Sequence, residues 1–352
     1  MADIVELVVK RAQKCLEAIP VMVLGSGASA AHNIPGMGAL RDHLVSSIQP
    51  TEEDSGYSVW QAFTAQLLID DLETSLQKVQ LNQDLLNAVI AETWKLINRA
   101  DLLVFEQLLR GEMSLPLTEL FRYMFTSTRK TITVVTPNYD RLAEYAADAG
   151  DFAHRTGFGH GHLRYRDSSW GLMRGRSPAR TVDIWKVHGS LDWFKRPDDT
   201  LIAVPPRESL PEGLVPSIVT PGVTKYQIAL QEPFRSAINQ ADNALHRAAA
   251  YLCIGYGFND EHIQPKLIER VTRDSVPLVV ITRSLTDSAK TLLLGGRCKD
   301  FLALETDGNS GTRAFCPEYM DGVVLPGMQI WNLRDFLNST VLDVGRARHA
   351  TV

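Results

Sequence analysis

Apolar residues recur at helical spacing near the start of the chain, at Ile4, Leu7, Val8, Ala12, Cys15, Leu16 and Ile19. They predict a helix over residues 3–19 that Pro20 ends. Val21-Met22-Val23-Leu24 follows, a valine-rich run that reads as a buried strand. Gly25-Ser26-Gly27 then makes a tight turn into a helix from Ala28. Ile34-Pro35-Gly36-Met37-Gly38 breaks the chain, and residues 40–48 predict another helix. Residues 58–129 carry helical apolar stripes nearly throughout, through Leu67, Leu72, Leu76, Leu85, Val89, Trp94, Leu102, Phe105, Leu120 and Met124. The next strand is the β-branched run TITVV at 131–135, and a helix is expected over 139–149. Residues 150–180 read as loop, 182–187 as a strand ending at His188-Gly189, and 201–204 as a short strand. A proline-rich connection then leads to a long amphipathic helix over 226–248.

The last third is regular. Strands are expected at 250–255, 277–282 and 301–304, and helices at 260–271, 284–294 and 331–338. Strands alternating with helices predict an α/β fold: a Rossmann-like, doubly wound parallel sheet covered on both faces. Between the first helix after the glycine turn and the second strand lies a helical insertion, at about residues 40–130. The whole of 1–352 reads as a single domain, with an N-terminal helix over 1–20.

Composition adds mainly exclusions. The 352 residues are 45% hydrophobic and 22% charged, which suits a chain with a sizeable core. A net charge of -5 gives no general attraction to nucleic acid; the basic pieces at 164–180 and 346–349 read as a loop and a tail. No leader peptide or membrane span is legible. Cys15, Cys253, Cys298 and Cys316 are scattered without a C-x-x-C pair, so neither a zinc ribbon nor another metal site is expected. A reducing, cytoplasmic setting is expected.

The candidate chemistry lies at strand ends. The strand–glycine turn–helix unit at 21–30 is the kind that places backbone N–H groups against a phosphate. Gly25 is expected to take a positive φ, Gly27 to leave room for a pyrophosphate, and Ser29 to add a hydroxyl in the first helical turn. Asn138 and Asp140 follow the second strand, and His188 follows the strand at 182–187. Ligands of doubly wound sheets bind beyond the carboxyl ends of the strands, so these three side chains can converge on one ligand. Asn138 and Asp140 can equally cap the next helix, and His188 can be a satisfied strand-end histidine. Ile254-Gly255-Tyr256-Gly257-Phe258-Asn259-Asp260 is another glycine turn, open to either a nucleotide or an N-cap reading, and Thr282 follows the next strand.

In order, GSGAS, IPGM, TPNYDR, KVHGSLDW and IGYGFNDEHI resemble the motifs of the sirtuin-like superfamily, most of all its bacterial NAD hydrolases of anti-phage defence. The resemblance implies NAD as substrate, cleaved to nicotinamide and ADP-ribose. It implies that Gly25, Gly27, Ala28 and Ser29 form the phosphate loop, followed by Pro35, and that Gly255, Tyr256 and Thr282 serve the adenosine side. It implies Asn138 as the holder of the attacking water, Asp140 as support for the nicotinamide pocket, and His188 as the base that engages the ribose hydroxyls. The zinc ribbon of the deacylases is missing, Gly36-Met37-Gly38 replaces their Asp-Phe-Arg, and Pro137 replaces a Gln before Asn138. A deacylase, an ADP-ribosyltransferase and a non-catalytic NAD or ADP-ribose sensor are the alternative readings. A homo-oligomer docked on a HerA-type ring ATPase is the assembly the resemblance implies.

Overall fold

The computed structural model describes residues 2–167, 171–220 and 231–342. The predicted 346–349 tail and positions 226–230 of the long helix lie outside the described residues. α1 (Ala2–Glu17) leads into β1 (Val21–Leu24) and the short α2 (Ser26–Ala30). Five helices come before the next strand: α3 (Met37–Ser47), α4 (Tyr57–Gln66), α5 (Leu72–Lys78), α6 (Gln83–Leu109) and α7 (Pro116–Met124). β2 (Thr131–Thr136), α8 (Leu142–Ala149), β3 (Ala153–Arg155) and β7 (Thr181–Lys186) follow on the same sheet. The last third supplies α9 (Phe234–Arg247), β11 (Tyr251–Ile254), α10 (Gln264–Arg273), β12 (Leu278–Ile281), α11 (Asp287–Leu294) and β13 (Phe301–Thr306). β14 (Thr312–Cys316), β15 (Tyr319–Leu325) and α12 (Leu333–Leu337) complete it.

These strands make one mixed sheet in the order β15-β14-β13-β12-β11-β1-β2-β7-β3. From β13 to β3 every pairing is parallel; β14 and β15 add an antiparallel edge. Counted in chain order, β1, β2, β7, β11, β12 and β13 have the 3-2-1-4-5-6 arrangement of a doubly wound sheet. The order reverses between β1 and β11. There Leu24 pairs with Ile254, so the two glycine turns leave the sheet side by side.

The alternation of side chains along each strand divides the core. Met22 and Leu24 of β1 join Leu252, Ile254, Val279 and Ile281 under α1, against Val8, Ala12 and Leu16. Val21 and Val23 face the other way, joining Cys253, Val280 and Ala303 with Leu245, Leu267 and Leu293 of the covering helices. Strands buried on both faces read as unbroken apolar runs, which is why the sequence pattern finds them. Helices α3 to α6 contribute a smaller cluster of their own around Trp60, Phe63, Leu72, Leu76 and Val89, while Trp94, Ile97 and Val104 of α6 reach the main core.

Several expectations are corrected. The stretch 150–180, read as loop, carries β3 and three two-residue strands: β4 (Arg164–Tyr165), β5 (Met173–Arg174) and β6 (Ser177–Pro178). β8 (Gly189–Lys195) follows His188 at once, and β10 (Val215–Ile218) sits within the proline-rich connection. With β9 (Leu201–Ala203) and β4 they form a second, antiparallel sheet in the order β10-β8-β9-β4. The nine-stranded sheet is itself not purely parallel, because β14 and β15 run antiparallel beyond Phe301–Thr306, which is not its last strand. Strands of two or three residues are too short to show a period. β8 hides its character because Asp192 sits inside it, buried against Arg164 at 2.7 Å.

Candidate functional site

Three glycines lock the centre of the site. Gly25 donates its N–H to Ile254 O, Gly27 to Gly255 O, both at 3.0 Å, and Gly255 to Ile281 O at 2.8 Å. A Cβ on Gly25 would lie 2.3 Å from Gly255 O, and one on Gly27 would lie 2.8 Å from Gly255 Cα. Gly25 has φ -102° and ψ -177°, so the expected positive φ is absent there. It falls instead on Gly255, at +56°. Both turns need glycine because their backbones touch; Gly27 makes room for Gly255.

The second strand end is tied to the first. Thr136 Oγ1 donates to Leu24 O at 2.8 Å and accepts from Asn138 N at 3.0 Å. Asn138 Nδ2 donates to Gly25 O at 2.9 Å and to Ser29 Oγ at 2.8 Å, and Ser29 Oγ donates to Asp140 Oδ2 at 2.6 Å. Only the amide nitrogen can donate to a carbonyl, which fixes the flip of Asn138 and leaves Oδ1 as its acceptor. The capping alternative does not hold for Asn138: α8 begins at Leu142 and Arg141 is its N-cap. Asp140 Oδ1 does accept from Leu142 N, at 3.2 Å. Burial raises the pKa of Asp140, opposed by the Lys186 charge and the Ser29 hydroxyl.

Buried charges hold this loop from below. Lys186 is fully buried; its ammonium donates to the Asp140 carbonyl and, at 2.9 Å, to Glu144 Oε1. Asp101 of α6 accepts from Arg141 N, Nε and Nη2 at 2.7, 2.9 and 2.6 Å, and from the Tyr145 hydroxyl at 2.6 Å. Trp94 Nε1 donates to Leu191 O at 2.7 Å. The long helix α6 thus fixes both the Asn138 loop and the strand after His188.

His188 meets Asp260, its Nε2 lying 3.1 Å from Oδ2. The two groups are in close contact, although Nε2 makes no hydrogen bond of good geometry. Asp260 Oδ1 meanwhile accepts from His262 N at 2.9 Å and Ile263 N at 3.0 Å, bracing the turn before α10; Ile263 and not Asp260 is the N-cap of that helix, so the N-cap reading is corrected. Burial works to raise the Asp260 pKa, but His188, the Ile263 amide and His262 outweigh it and hold the pKa at about 2. A carboxylate whose folded pKa lies below its unfolded one stabilises above the unfolded value, near 4, and loses that contribution as pH falls through the folded one. Wild type should therefore lose about 2 kcal/mol between pH 4 and 2 through this group. Acid unfolding of Asp260→Asn should lack that component; an identical pH dependence in the two proteins would refute the assignment.

Two cavities flank the switch point. One, of about 270 Å³, is lined by Gly25, Ser29, Pro35, Asn138, Asp140, His188, Tyr256 and Asp260 among others. The second, of about 670 Å³, is lined by Gly27, Gly255, Tyr256 and Thr282 and by residues of the β12 and β13 ends. Ser26, Tyr256, Gly257 and Asn259 line both, so the two form one groove across the strand ends. All the sequence-predicted site residues except Ala28 line it; Ala28 packs against the core. The sequence reading missed Asp260 as the partner of His188. It also missed the contribution of the helical segment, which brings Met37, Leu40, Glu73 and Ile97 to the first cavity. The spacing of Asp260 behind the second glycine turn was the only available signal for the former.

Among the described residues no group of three or more His, Cys, Asp and Glu side chains could hold a metal ion, and no helix is long and apolar enough to cross a membrane. Residues 132–283 match the model of the SIR2-like domain. That match begins in β2 and ends just past β12, so it takes in Asn138, Asp140, His188, Asp260 and Thr282. No curated protein matches the chain significantly. Among solved structures, a Sir2 homologue in complex with NAD is 14% identical, with 84% of this chain and 87% of that chain covered and a TM-score of 0.41. A structure described as the basis for the mechanism and regulation of Sir2 enzymes is 14% identical, with 97% and 98% covered and a TM-score of 0.44.

Proposed function

We propose that the protein hydrolyses NAD at the bond between nicotinamide and ribose, giving nicotinamide and ADP-ribose. The observation that carries this reading is that Asn138 and His188 line one end of a groove that crosses the switch point of the sheet. The match over 132–283 to a SIR2-like domain supports NAD as the ligand.

The chemistry asks little of the protein beyond placement. As the C–N bond breaks, its electron pair passes to the pyridinium nitrogen, and positive charge moves onto the ribose as an oxocarbenium-like centre. Asn138 Oδ1 holds a water against that centre. The water oxygen forms the new C–O bond, and its proton passes to His188 as neutral base. Asp260, kept ionised by its low pKa, then stabilises the imidazolium. Ile34, Leu40 and Ile97 give this end of the groove an apolar wall.

The product mixture tests this. Incubation with NAD should release nicotinamide and ADP-ribose in equal amounts, with or without an acetylated peptide. Formation of O-acyl-ADP-ribose from the peptide would move the assignment to a deacylase, and tight NAD binding without nicotinamide release would make the chain a sensor. The setting implied by the motif resemblance is NAD depletion in anti-phage defence, by a cytoplasmic homo-oligomer docked on a HerA-type ATPase. Light scattering of the chain alone and with such a partner examines the assembly.

A further inference from the structure

The second cavity has a charge pattern that NAD alone does not call for. Arg283 follows β12, Lys290 lies on α11 and Arg313 on β14, and all three line it. Among the described residues none of the three is engaged in an ion pair. All three are exposed, whereas buried Arg141 pairs with Asp101 at 2.6 Å and the partly buried Arg155 and Arg164 pair with Asp183 at 2.6 Å and Asp192 at 2.7 Å.

The two carboxylates of the same cavity are engaged by loop amides. Glu305, 8% exposed, accepts from Leu285 N at 2.8 Å through Oε2. Asp307 Oδ1 accepts from Asn309 N at 2.8 Å and Gly311 N at 2.9 Å. These bonds shape the loops on which the cations stand. Three cations and two carboxylates thus line one cavity of a chain whose net charge is -5, with Arg313 across the β13–β14 pair from Glu305.

We propose that the adenosine end of the groove takes a ribose bearing a phosphate monoester, so that 2′-phosphorylated NAD is the preferred substrate. This rests on the reading that the groove binds and cleaves NAD. A ribose diol is met by a carboxylate that accepts from its hydroxyls, whereas a 2′-phosphate is met by arginine. A phosphate monoester carries close to two charges at neutral pH and accepts several charge-assisted hydrogen bonds. Arg283 and Arg313 offer planar forks for such bonds, and Lys290 a point charge. Ser284, at the same rim, adds a hydroxyl donor.

The test is a binding measurement, independent of turnover. Calorimetry on the full chain compares ADP-ribose with its 2′-phosphorylated form. The wild type should bind the phosphorylated ligand at least about tenfold more tightly, and the preference should shrink as salt rises because the cations are exposed. The triple variant Arg283→Ala, Lys290→Ala, Arg313→Ala should lose the preference. Equal or weaker binding of the phosphorylated ligand by wild type, with ADP-ribose bound, overturns this proposal and leaves the NAD reading standing. A preference that survives the triple variant also overturns it. Binding of neither ligand would remove both readings.

Discussion

In the His188→Ala variant, NAD cleavage should fall by about 10²–10⁴-fold, the usual contribution of a positioned general base. The loss should appear in kcat, because proton transfer belongs to the chemical step. The fold should persist. Asp260 loses a close neighbour but keeps the amides of His262 and Ile263, which brace the turn before α10. His188→Gln offers a neutral polar side chain at the same place and should be similarly slow, which separates loss of a base from loss of packing. Substantial activity in both variants under conditions where wild type turns over would contradict the role given to His188.

The second large effect is expected at Gly255. Alanine there must hold φ near +56°, a left-handed conformation that costs an L-residue roughly 1–2 kcal/mol. Its Cβ would also lie 2.3 Å from Ala28 N and 2.4 Å from Gly27 C, backbone atoms that cannot rotate away. Overpacking of that kind adds about 1–3 kcal/mol, so a total loss of about 2–5 kcal/mol is expected. The two glycine turns must separate to relieve it, and they carry Ser29 on one side and Tyr256 and Asp260 on the other. ADP-ribose affinity should drop at least about tenfold with the stability, since one displacement causes both. Gly38→Ala is the control: no atom lies within 4 Å of its Cβ position, and alanine favours the helix. Equal denaturation midpoints for Gly255→Ala and Gly38→Ala would contradict the backbone contact.

The same glycines mark where sequence reading works and where it stops. Gly25-Ser26-Gly27 is legible as a turn because glycine after a buried valine run has few other uses. Glycine alone does not say whether a positive φ or a close backbone approach demands it. At Gly25 the demand is approach; the positive φ lies 230 residues further on, at Gly255. The parallel strands β1, β2, β7, β11, β12 and β13 were legible because burial on both faces leaves largely apolar runs; the three-residue β3 was too short to show one. β8 was not, since Asp192 interrupts it, and its ion-pair partner Arg164 is distant in sequence. The edge strands β14 and β15 escaped for a similar reason: Arg313, Asp321 and Gly322 dilute their pattern. Asp260 was legible as part of the turn into a helix, and its second oxygen beside His188 was not, because a contact between strand ends leaves no local pattern.

The central claim is that one NAD molecule lies across the β1–β11 switch point with its nicotinamide end at Asn138 and His188. A crystal structure of the slow His188→Ala variant with NAD tests it directly. The account predicts the nicotinamide ribose in the cavity lined by Ser29, Asn138 and Asp260, the pyrophosphate beside Ser26 and Tyr256, and the adenosine near Thr282 and Arg283. NAD bound in the reverse direction, or outside this groove, would contradict it.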